Sequence, residues 1–127
     1  MGTFTPRDEQ RPSAEYSPLQ VLELVLAAFA DVNSGASALY DFANDSLRAK
    51  AGDLSDLRRM FDNELFAPLA GAHKRLVETF DERGEVARAE VRAQDARFVI
   101  SLARRDHGRF PDCWLITAIA RDQGAGY

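Results

Sequence analysis

From Ser17 onward, apolar residues recur at helical spacing. Leu22, Val25, Leu26, Phe29 and Val32 fall on one stripe, and Val21, Leu24 and Ala28 widen it beyond the face of an ordinary surface helix. A helix with so broad an apolar face must be covered on most of its sides. Its start is also marked: Ser17 can cap, Pro18 suits the first helical position, and Gln20 stands where a capping-box partner belongs. The pattern predicts a helix over 18–32, ended by Asn33-Ser34-Gly35. It predicts a second, short helix over 36–42. A third is expected over 54–63, capped by Asp53, with Leu54, Leu57, Met60 and Phe61 at helical spacing. Residues 65–72, with Pro68 and Gly71, read as a turn.

The period then changes to two. Residues 74–81 predict a strand and Asp81-Glu82-Arg83-Gly84 a hairpin turn. Over 85–94, Ala87, Ala89, Val91 and Ala93 alternate with Arg88, Glu90 and Arg92, the signature of one buried and one wet face. Gln94-Asp95-Ala96 turns the chain into a strand over 98–103. Residues 106–112, with Gly108 and Pro111, turn it into a last strand over 113–120. Phe98-Val99-Ile100 and Trp114-Leu115-Ile116 carry apolar groups on both faces, as strands covered on both sides do. Helices first, then consecutive antiparallel strands, define an α+β fold with helices packed on a meander. Three helices cover one face of such a sheet. The other calls for cover from outside the monomer, so a homodimer through the outer sheet face is expected.

Length and composition set the limits. The 127 residues fit one domain, and 46% hydrophobic content excludes wholesale disorder. Residues 1–16 are polar, carry Pro6 and Pro12, and read as a flexible tail ahead of a domain over 17–121, with a short C-terminal tail over 122–127. Cys113 is the single cysteine, so an intrachain disulfide is impossible, which fits a reducing compartment. The net charge of −4 argues against nonspecific binding to nucleic acid or an anionic membrane. The longest apolar run, over 21–30 and interrupted by Glu23, is too short to span a bilayer. Residues 1–10 lack the apolar core of a secretory signal. A cytoplasmic protein is expected.

The order of elements resembles the cone-shaped, cystatin-like fold shared by nuclear transport factor two, ketosteroid isomerase and the SnoaL-like cyclases. A narrower similarity is to a branch of that superfamily described as a domain of unknown function. It is carried by Ser17-Pro18 at the first helix, by Tyr40-Asp41-Phe42-Ala43 followed by Asn44, and by the stretch from Leu57 to Met60. It continues through Phe66-Ala67-Pro68-Leu69, Ser101-Leu102-Ala103-Arg104, Gly108, and Cys113-Trp114-Leu115-Ile116-Thr117. Two segments depart from that pattern: Ala51-Gly52-Asp53 stands in place of Thr-Gly-Pro, and Phe66 in place of tyrosine. The resemblance implies a strongly bent sheet wrapped around the helices, with a pocket between them. Residues of the second helix, the helix-to-sheet turn and the last strand then face that pocket, which makes Tyr40, Phe42, Phe61, Phe66 and Trp114 the candidate lining.

No motif commits the chain to a reaction, and no catalytic set is assigned. A zinc site needs several ligands converging on one point, whereas His73 and His107 fall in separate turns beside a single cysteine, so no metal and no cofactor are expected. Cys113 starts an apolar strand, where cysteine is a packing residue more often than a nucleophile. Arg97, Arg104, Arg105, His107 and Arg109 form a basic cluster, but Asp95, Asp106 and Asp112 sit among them and cancel much of its field. Tyr40 with Asp41 could do proton chemistry if both faced one cavity, but adjacent helical positions diverge. The function expected is a non-catalytic small-molecule-binding or assembly domain, with a small apolar molecule as the ligand. The alternative, by fold analogy, is an isomerase, cyclase or dehydratase acting on an apolar small molecule.

Overall fold

The computed structural model describes residues 12–64, 66–71, 74–104 and 112–122. Among them, four helices precede one antiparallel sheet, an α+β architecture. The helices are α1 (Pro18–Ala28), α2 (Val32–Phe42), α3 (Asp45–Ala51) and α4 (Leu54–Met60). The strands are β1 (Arg75–Arg83), β2 (Val86–Ala93), β3 (Ala96–Ala103) and β4 (Leu115–Arg121), with a short 3-10 turn, Ala67–Leu69, before them. The strand order β1-β2-β3-β4 is a plain meander.

The expected start of α1 is present in full. Ser17 accepts from the Gln20 backbone N–H at 3.1 Å, and the Gln20 side chain accepts from the Ser17 N–H at 2.8 Å. The expected end is not. Asn33-Ser34-Gly35 does not stop a helix; it is the first turn of α2. The chain breaks earlier, at Phe29 to Asp31, and the Asp31 carboxylate restarts it by accepting from Ser34 N–H at 2.9 Å. Gly35 permits this sharp corner, because a Cβ there would meet Phe29 Cδ1 at 2.7 Å and Phe29 Cα at 3.1 Å.

A fourth helix stands where none was expected. Asn44 caps α3 by accepting from Leu47 N–H at 2.8 Å, and Gly52, at φ +95°, ends it. Asp53 caps α4 as expected, and Asp56 completes a capping box with it. That helix is shorter than its pattern suggested, giving way to turns after Met60.

The strands keep their expected order with shifted ends. β1 runs on to Arg83, so the hairpin turn is Gly84-Glu85, with Gly84 at φ +61°. β3 begins at Ala96, two residues early, because Gln94 at φ +56° makes Gln94-Asp95 a two-residue turn. β4 starts at Leu115, leaving Cys113 and Trp114 ahead of it.

The core lies between the helices and the inner sheet face. Ala87, Ala89, Val91, Ala93, Phe98, Ile100, Leu102, Ile116 and Ile119 meet Val21, Leu22, Val25, Phe29, Leu39 and Phe42 from the helices. Two clasps bind the layers. The Asn44 N–H donates to the Ile116 carbonyl at 2.9 Å, and Ala43 bridges Ile116 in parallel, tying the α2–α3 corner to the β4 edge. On β1, the Arg75 guanidinium donates to the carbonyls of Leu26 at 3.1 Å and Gly71 at 2.9 Å, so the sheet's first strand caps the end of α1. Burial pulls the Arg75 pKa down.

Candidate functional site

The aromatic residues expected to line a pocket lie mainly in the core. Phe42 is 0% exposed, Phe66 and Trp114 2%, and Phe61 3%. Phe61 packs edge-on against Phe29 with ring centroids 5.2 Å apart, and Phe66 tilts against Phe98 at 5.9 Å. Phe42 meets Tyr16 at 6.5 Å. Tyr16 is the last residue of the expected tail, and it packs on the core cluster.

Tyr40 is half-buried, and its surroundings were not legible in advance. The Arg48 guanidinium lies 3.9 Å over its ring and donates to its backbone carbonyl through Nε at 3.0 Å and Nη2 at 2.9 Å. Arg48 stands one turn into α3, the helix missing from the sequence reading, so nothing in the spacing alone pointed to this pair. Asp41, its neighbour, is half-buried at the C-terminal end of α2. The structure therefore joins Tyr40 to a cation. Phe42, Phe61, Phe66 and Trp114 are shared out among core contacts.

The nucleophile and metal candidates resolve in part. The Cys113 thiol is buried, and burial with the adjacent Asp112 charge pushes its pKa up, the opposite of activation. Among the described residues, no group of three His, Cys, Asp or Glu side chains is placed to hold a metal ion. His73 and His107 lie outside those residues, as do Arg105, Arg109 and Asp106 of the basic cluster.

The rest of that cluster is engaged. Arg97 pairs with Glu78 at 3.1 Å and Asp122 at 3.7 Å, and Glu78 also takes Arg92 at 2.9 Å. The two guanidinium groups hold the Glu78 carboxyl below its ordinary range, hydrogen bonding to Arg92 contributing most. Arg104 pairs with Glu85 at 3.1 Å and lies 5.3 Å over the Trp114 ring.

The register sets out the outer sheet face in rows. Asp81 stands beside Arg88 and Ser101, then Ala118. Thr79 stands beside Glu90 and Val99, then Ala120. Thr79 Oγ1 donates to the Glu90 carboxylate at 2.8 Å. The β1–β2 half of the face is thus charged and largely paired. The β3–β4 half is uncharged apart from Arg97 at one end: Val99, Ser101, Ala103, Thr117, Ala118 and Ala120 are half-buried, and Leu115, opposite Ala103, is buried. Leu76 at 60% exposure and Val86 at 55% are the exposed large apolar residues of the sheet. An open cleft of about 530 Å³ runs along this face between Asp81, Arg83, Val86, Arg88, Ser101, Ala103 and Thr117. It forms where β4 carries an extra residue opposite the Ser101–Leu102 step.

No helix among the described residues is long and apolar enough to cross a membrane. No family model matches this chain, and no curated protein or solved structure matches it either.

Proposed function

We propose that the chain is a non-catalytic assembly domain of the cytoplasm that pairs with a second copy of itself through the outer face of its sheet. The observation that carries this is the division of that face. Glu78, Thr79, Glu90 and Arg92 are matched within the monomer, while Val99, Ser101, Ala103, Ala118 and Ala120 offer no charge to desolvate. Small side chains let two sheets approach to about 10 Å, and like faces meet across a two-fold axis without a second kind of surface. Four strands of about eight residues present roughly 500 Å² of flat area, about half of it on the uncharged β3–β4 side. That is below the ~800 Å² per partner of a standard interface, so a weak dimer is expected.

Sedimentation equilibrium from about 1 to 100 μM tests the reading, with Val99→Lys and Ala118→Glu as variants. The expected result is a concentration-dependent dimer in the parent, monomers in both variants, and little change in melting temperature at low concentration. A parent that sediments as a monomer throughout that range overturns it.

The resemblance to the cone-shaped superfamily belongs to the same proposal, supported by the helices-then-meander order. The small-molecule reading of that fold needs a cavity between helices and sheet. The near-complete burial of Phe42, Phe61, Phe66 and Trp114 favours assembly over that reading and over an enzyme.

A further inference from the structure

We draw no further inference here: the strongest candidate, the arginine cluster of Arg92, Arg97 and Arg121 lining a polar cleft at the β2–β3 turn, carries nothing, because Glu78 and Asp122 already pair with Arg92 and Arg97 and no second observation points to a ligand there.

Discussion

Trp114 sits just before β4, 2% exposed, with the Arg104 guanidinium over its ring. Truncating a buried aromatic of this size costs about 3–5 kcal/mol. Trp114→Ala is therefore expected to be insoluble or to unfold at much lower denaturant, whereas Trp114→Phe keeps most of the stability in the same titration. Asn44 acts through a smaller lever. It is the buried polar residue among those described, and its side chain satisfies Leu47 N–H at the start of α3. Asn44→Ala should cost about 1–2 kcal/mol, and Asn44→Ser, which restores an acceptor, should recover part of that in chemical denaturation. Glu78 gives a pH signature. Its pKa is depressed by Arg92 and Arg97, so its contribution is present above the ordinary glutamate value of about 4.3 and is lost as pH falls through the lower folded value. Glu78→Gln should flatten the acid limb of a stability–pH curve below that value and leave the curve's shape near pH 7 unchanged. Cys113, buried and with a raised pKa, should react slowly with a thiol reagent at pH 7 and rapidly once the protein is unfolded.

At the scale of elements, the α1–α2 corner depends on Gly35. In a helix, Gly→Ala normally gains about 1 kcal/mol of propensity. Here the new Cβ would press on both the ring and the backbone of Phe29, a wholly buried residue packed against Phe61. Overpacking of a core costs about 1–3 kcal/mol, so the clash wins and Gly35→Ala should lower the melting temperature. The two bulges act on the strands. On β1, simple alternation would put Leu76 and Phe80 on one face. The irregularity between Val77 and Thr79 turns Val77 and Phe80 inward together and leaves Leu76 on the outer side. On β4 the same device places Ile116 and Ile119, three apart, on the inner face opposite Leu102 and Ile100. A one-residue insertion inverts the phase of everything beyond it, and nothing in either strand's composition announces the insertion.

For the whole molecule, the question is what meets the outer face of the sheet. The outer sides of β3 and β4 carry no charge apart from Arg97, so that half of the sheet can lie against another surface with little charge to desolvate. The dimer expected from Val99, Ala103, Ala118 and Ala120 is weak by area, and the sedimentation experiment reads it directly. The N-terminal tail bears on the same scale. Residues 1–15 offer little large apolar surface in sequence beyond Phe4, and their removal is expected to change the melting temperature by less than a core substitution does. Extending the deletion through Tyr16 should cost more, because Tyr16 packs on Phe42.

The sequence by itself determined the class of fold, the helix starts at Ser17 and Asp53, and the inner face of β2. Each of these is written in local spacing or in a cap within one turn of its helix, where side chain and backbone meet without help from distant parts. Local spacing also reads β3 as covered on both faces, whereas Val99 is only half-buried. The helix α3 was legible in principle, since Asn44, Asp45, Arg48, Lys50 and Gly52 stand where cap, first turn, last turn and stop belong. Only the tertiary structure decided the rest. It set the break at Phe29, the bulges of β1 and β4, the Arg48–Tyr40 stack and the reach of Arg75 to Leu26, forty-nine residues away. It also packed the aromatic residues expected around a pocket into the core. The Arg75 contact and the burial of the aromatic residues depend on which surfaces meet across the layers, and a contact between residues far apart in the chain leaves no mark on the local pattern of either.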